Sequence, residues 1–225
     1  MTTPPTWKIA VCLFDEVTSL DYMGPVELFV YFTKAMGDAG IRQIDVPILF
    51  DFTYLNYTRD PVKPMSGPRA FPDKTYDEVG PEEQFDVVLL PGGPGSRPDL
   101  VQPSLIKFLQ RQEPGAKYFL SVCTGSWVYA QAGLLEGKRA TTNKSLFKII
   151  QAATAQNKVE WVAKARWVVD GKFWTASGVT AGIDMANAFI EHTMGKDFAK
   201  IVRDAAEYKA HDQGEDDFAE IYGLA

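Results

Sequence analysis

Cys123 is the residue of this chain best placed for covalent chemistry, because it stands at a sharp turn between two unlike runs. Before it, Tyr118-Phe119-Leu120-Ser121-Val122 is apolar and of strand length, as a buried parallel strand requires. After Thr124-Gly125-Ser126, a run through Trp127, Val128 and Ala130 fits a helix. A strand-to-helix turn of this kind presents one side chain at the carboxyl edge of a sheet and aims the first helical amides at it. Those amides favour thiolate over thiol. The same residue also reads as a small hydrophobe buried in a β-α unit, a common fate of free cysteine.

Two more stretches carry groups to the same kind of position. Asp21 lies in a loop after the apolar run 8–14 and just before a helix whose first turn suits Pro25. Open α/β sheets place ligands at that edge, so Asp21 reads either as an acid/base group or as a cap or solvated loop residue. Glu27 is a second acid one turn on. The clearest strand, Phe85-Asp86-Val87-Val88-Leu89-Leu90, runs into Pro91-Gly92-Gly93-Pro94-Gly95. Glycines there permit positive φ and close approach of bare amides. That suits an oxyanion pocket or a plain tight turn, and it matches neither a phosphate loop nor the dinucleotide fingerprint. With only two histidines, His192 and His211, and the two cysteines on separate strands, no metal site and no cofactor are expected.

The remaining chain must build the frame that brings these turns together. Residues 44–52 read as a second strand, and residues 53–84 are an irregular stretch with short strands at 62–65 and 69–71. Its aromatics Phe52, Tyr54, Tyr57 and Phe71 could line an entrance or simply pack. A helix is predicted over 103–112, a strand end at 140–142 and a helix over 143–155. Residues 159–176 read as a hairpin about Asp170-Gly171. A helix over 185–194 follows Thr180, an N-cap candidate, and the tail adds one helix and an acidic, solvated end at 215–217. Strands alternating with helices imply a mostly parallel, doubly wound sheet of flavodoxin-like form, covered on both faces. With no repeat or linker in view, residues 1–225 read as a single domain.

Of the 225 residues, 46% are hydrophobic, enough for a core without disulfides. A net charge of −6 with scattered Lys and Arg argues against nucleic-acid and anionic-membrane partners. Two cysteines, Cys12 read as a core thiol, suit a reducing cytoplasm. Residues 1–7 show no signal-peptide pattern, and no apolar run approaches the ~20 residues needed to cross a bilayer.

Four stretches together resemble the ThiJ/PfpI superfamily, whose fold is similar to class I glutamine amidotransferases: LDYMGPVELF at 20–29, FDVVLLPGGPG at 85–95, SVCTGSWVYAQAGLLEGKRATT at 121–142 and SGVTAGIDMA at 177–186. Leu-Asp-x-x-Gly-Pro and Cys-Thr-Gly-Ser look most like its isocyanide hydratase branch. The resemblance implies Cys123 as nucleophile and Asp21 as the acid that moves protons beside it. It implies that the amides of Gly93 and Thr124 stabilise an oxyanion, with the Thr124 side chain in the same pocket. Gly92 shapes the turn, and Gly92 and Gly125 join Gly93 in the oxyanion and substrate-binding set. Many relatives carry a His after Ala140-Thr141-Thr142 where this chain has Asn143, which weakens a Cys-His protease reading. The implied activity is hydration of an isocyanide to an N-formamide by a homodimer acting on a small molecule. The alternatives are a glyoxalase-like reaction on an α-oxoaldehyde and a non-catalytic redox sensor.

Overall fold

The computed structural model describes residues 4–225; of the stretch 1–7, residues 1–3 lie outside that range. Strand β1 (Thr6–Cys12) leads into helix α1 (Ser19–Phe29) and the short α2 (Lys34–Asp38). Then come β2 (Leu49–Asn56), β3 (Lys74–Thr75), β4 (Val87–Leu90), α3 (Pro103–Gln112), β5 (Tyr118–Ser121) and α4 (Gly125–Gln131). The last part holds β6 (Arg139–Ala140), α5 (Phe147–Ala153), β7 (Glu160–Trp161), β8 (Trp167–Asp170), β9 (Phe173–Ala176), α6 (Ala181–Met194), α7 (Lys196–Ala205) and α8 (Phe218–Ile221).

Seven strands form one sheet in the order β3-β2-β1-β4-β5-β9-β8, parallel throughout except for the β8–β9 hairpin. The central strands are continuous apolar runs because both their faces are covered. On β5, Tyr118 packs edge-on against Phe189 of α6, while its neighbour Phe119 packs against Tyr129 of α4. Adjacent strand residues point to opposite faces, so α6 and α4 cover opposite sides. This is the mostly parallel, flavodoxin-like arrangement expected. The carboxyl ends of β1, β4, β5 and β9 all open on one edge, and the chain leaves them as Leu13, Pro91, Val122 and Ser177.

Several local expectations need correction. The second strand begins at Leu49 rather than at residue 44, because Pro47 lacks the N–H that a ladder needs. The short strands at 62–65 and 69–71 reduce to a single antiparallel bridge, Val62 with Ala70. Asp170-Gly171 does turn a hairpin, with Gly171 at φ 59°. Its first arm is shorter than expected, because Glu160–Trp161 pairs instead with β6 in a separate two-stranded sheet. The amides of Ala165 and Arg166 are drawn to the tail, to Asp216 Oδ2 at 3.1 Å and the Gln213 carbonyl at 2.8 Å. The helix predicted over 143–155 starts as a 3-10 turn at Lys144–Leu146 and becomes α-helical only over Phe147–Ala153. The helix expected from 185 begins at Ala181, and Thr180 sits at its N-cap without a capping bond from its side chain.

The acidic end is solvated only in part: Glu215 and Asp217 are exposed as expected, and Asp216 is not. Asp216 is 2% exposed and pairs with the buried Lys144 at 3.1 Å. That pair pins the tail to the segment after Thr142. Breaking such a pair leaves a charge buried alone, at a cost of about 3–5 kcal/mol. Asp216→Ala is therefore expected to lower the urea midpoint by that amount of stability without changing the denaturant slope; an unchanged midpoint would show that the pair contributes nothing.

Candidate active site

The three turns expected to carry chemistry meet at the carboxyl edge of the sheet. Cys123 adopts φ 59°, the left-handed region, so its backbone reverses between β5 and α4. Its N–H donates to the carbonyls of Ser177 at 2.8 Å and Ala176 at 3.2 Å, which fixes the bend against the end of β9. The carbonyl of Cys123 accepts from Thr142 Oγ1 at 3.1 Å. Holding a non-glycine residue there costs on the order of 1 kcal/mol or more, and this network maintains it.

Asp21 lies inside the first turn of α1, not in the preceding loop, and is fully buried. Pro25 likewise stands within the helix rather than in its first turn. Having no N–H, it cannot bond back to the carbonyl of residue 21. Asp21 Oδ2 accepts from the Gly92 amide at 2.9 Å, while Oδ1 is buried with no partner. The Cys123 thiol stands close enough to act as a donor toward this carboxyl and lower its pKa. Because Oδ1 lacks a well-formed hydrogen bond, that contact is weak. Gly92 thus does more than shape a turn: its amide holds the acid. A Cβ at Gly92 would come within 2.4 Å of the Thr124 nitrogen and 3.0 Å of Cys123 Cβ. Gly92→Ala is expected to shift the elbow and lower kcat/KM about 10²-fold with the fold retained, as read by turnover and circular dichroism.

The amides do not all face an open pocket. The Gly93 N–H donates to Thr124 Oγ1 at 2.9 Å, and Ser96 Oγ donates to the same hydroxyl at 2.7 Å. Gly93 has φ 133°, and a Cβ there would lie 2.3 Å from the Glu16 carbonyl oxygen. Gly125 donates its N–H to the Val122 carbonyl at 3.0 Å, and its missing Cβ makes room for the Leu90 carbonyl. The groups that favour the thiolate, by lowering the Cys123 pKa, are the Thr124 amide, the Thr124 hydroxyl and the side chain of Asn143. Asn143, noted in the sequence only as a missing histidine, therefore supplies a donor that does not titrate. Its Oδ1 accepts from the Ser145 N–H at 3.0 Å, which orients the amide.

Electrostatics revise the thiolate expectation. Burial, reinforced by the Asp21 charge, pushes the Cys123 thiol up to about 12, against the lowering effect of Thr124 and Asn143. Burial likewise pushes Asp21 up to about 7, opposed by the Gly92 amide and the thiol. At neutral pH the thiol is protonated, and burial favours the neutral form of the carboxyl beside it. Cys12 is a core thiol as expected, fully buried and raised further.

Other expected participants stay apart. Glu27 is exposed. Phe71 is 75% exposed, whereas Tyr57 lines a cavity with Phe14 and Leu100 and accepts from the Gln102 amide at 3.2 Å. His192 lies 3.1 Å from the hydroxyl of Tyr118, at the amino end of β5 and so at the opposite edge from Cys123. His211 is on the tail, where its N–H donates to Asp184 at 3.0 Å. Among the described residues no cluster could hold a metal ion, and no helix is long and apolar enough to cross a membrane.

A doubly wound sheet with a cysteine at a strained strand-to-helix elbow and a buried carboxyl beside it defines a class of cysteine-elbow α/β proteins. Within that class, the chain belongs to the DJ-1/PfpI family, whose model matches residues 7–192. It is 31% identical over 201 residues to an isonitrile hydratase of Pseudomonas putida, spanning 89% of this chain and 78% of that one. It is 32% identical over 111 residues to a deglycase of Pyrococcus horikoshii, spanning 49% of this chain and 63% of that one. A ThiJ/PfpI family protein from Pseudomonas syringae superposes with a TM-score of 0.76 at 24% identity, covering 92% of this chain and 77% of its own. This last likeness bears on the fold alone.

Proposed function

We propose that the protein hydrates an isocyanide to an N-formamide through covalent catalysis at Cys123. One observation carries this reading: Asp21, a fully buried carboxyl that accepts from the Gly92 amide at 2.9 Å and that burial raises to about 7, acts on the Cys123 thiol, with the neutral amide of Asn143 in the place of an imidazole. The isonitrile hydratase relative supports it over most of the chain. The terminal carbon of an isocyanide needs both a nucleophile and a proton. Asp21 takes the thiol proton as sulfur attacks, and then delivers it to that carbon, giving a thioimidate. Water next adds across the carbon–nitrogen double bond, its hydroxyl to carbon and a proton to nitrogen. Asp21 accepts a water proton in this step and donates it onward. Collapse of the adduct breaks the carbon–sulfur bond, frees the formamide and returns a proton to the thiol. Donors from Thr124 and Asn143 stabilise the sulfur anion when it attacks and when it leaves.

A glyoxalase-like reaction on an α-oxoaldehyde would use the same sulfur and acid, and the deglycase relatives favour it over part of the chain. A sensor role fits less well, since a raised, buried thiol oxidises slowly. Incubation with an aryl isocyanide and, separately, methylglyoxal separates these readings by product analysis. Formamide formation is expected; lactate from methylglyoxal with no formamide would replace the reading with the glyoxalase one. A cytoplasmic homodimer belongs to the same proposal, and sedimentation showing only monomer would remove the dimer from it.

A further inference from the structure

Beside the elbow lies a cavity of about 230 Å³, walled by Asn143 and Lys144 on one side, Val179 and Ala181 at the start of α6, and Phe218 and Tyr222 of the tail. Two residues belong to both places: the Ser177 carbonyl accepts from the Cys123 N–H at 2.8 Å, the Asn143 side chain acts on the Cys123 thiol, and both line the cavity. Gly178 is in close contact with the same amide, since a Cβ there would lie 3.2 Å from Asn143 Nδ2. The cavity is larger than the ~150 Å³ that accepts benzene. Its charges are already matched, Lys144 by Asp216 at 3.1 Å and Arg166 by Asp184 at 2.6 Å. An anionic ligand would therefore find no free cation, and a cationic one no free carboxylate. Val179, Ala181, Phe218 and Tyr222 leave a largely apolar lining suited to a neutral hydrocarbon group.

We infer that this cavity receives the neutral aryl or cycloalkyl group of the substrate, and that the C-terminal tail sets substrate size. The inference rests on the isocyanide reading for the reacting group. An isocyanide is rod-like, so its organic group lies in line behind the carbon that meets sulfur, on the side where Ser177 joins the elbow to the cavity. The tail is a wall of the site because the Lys144–Asp216 pair seats α8 over it.

The test compares wild type with Val179→Trp, which fills the cavity, and Phe218→Ala, which opens it, on methyl and cyclohexyl isocyanide. Val179→Trp is expected to lower kcat/KM for the cyclohexyl compound about tenfold or more relative to that for the methyl compound. Phe218→Ala is expected to shift preference toward bulkier isocyanides. Equal effects on both substrates for both variants would overturn the inference. Should wild type turn over no isocyanide, the proposed function fails separately, and alkylation of Cys123 still decides the cavity. Peptide mass spectrometry then follows iodoacetamide against N-phenyliodoacetamide. Selective slowing of the phenyl reagent by Val179→Trp supports the pocket, and an unchanged ratio refutes it.

Discussion

Cys123→Ala is expected to abolish formamide production, leaving less than about 10⁻³ of the wild-type rate. The other thiol among the described residues, Cys12 at the end of β1, is fully buried in the core, and a positioned acid alone contributes only about 10²–10⁴-fold. The substitution should leave the fold intact. Alanine accepts the left-handed backbone at a cost similar to that of cysteine, and the N–H bonds to Ala176 and Ser177 do not involve the side chain. Thermal melts and product assays on the same preparation separate loss of chemistry from loss of structure. Formamide made at wild-type rates by a folded Cys123→Ala protein would place the nucleophile elsewhere.

Asp21→Asn is expected to produce two opposite effects. Turnover should fall about 10²–10⁴-fold, since an amide cannot accept the thiol proton or deliver it to carbon. Stability at pH 8 should rise. The carboxyl is pushed from 3.8 up to about 7 by burial, so the folded state holds a proton that the unfolded state releases. Its contribution is most favourable below about pH 4, falls as pH rises through 4 to 7, and is lowest above 7. Asparagine keeps an acceptor for the Gly92 amide and removes the buried charge. The variant should therefore gain on the order of a few kcal/mol at pH 8, and that gain should vanish near pH 4. Parallel urea melts of variant and wild type across that range check this. A difference that does not change with pH would mean Asp21 is ionised in the fold as readily as in the unfolded chain.

The placement of the site was legible because each of its parts follows a strand. Cys123, Asp21 and Gly92 sit after β5, β1 and β4, and strands that alternate with helices bring such turns to one edge. The alternation also indicated the sheet and its two covered faces. What was not legible depended on distant partners. The run Glu215-Asp216-Asp217 has the composition of a solvated end, and only its meeting with Lys144 buries Asp216. Helix amides argued for a thiolate, but the depth of Cys123 and the charge of Asp21 outweigh them. The role of Asn143 is a contact across space, invisible at a position notable only for lacking a histidine. The glycine amides behaved similarly: Gly92 holds the acid and Gly93 holds Thr124, and neither partnership is written in the spacing.

Covalent catalysis at Cys123 is tested most directly by acid-quenching a single turnover of an aryl isocyanide and mapping the protein by mass spectrometry. The expected result is a transient gain of one substrate mass, confined to the peptide that holds Cys123, at its highest before formamide appears and absent in Cys123→Ala. Formamide released with no adduct at any quench time, or an adduct on Cys12 alone, would contradict it.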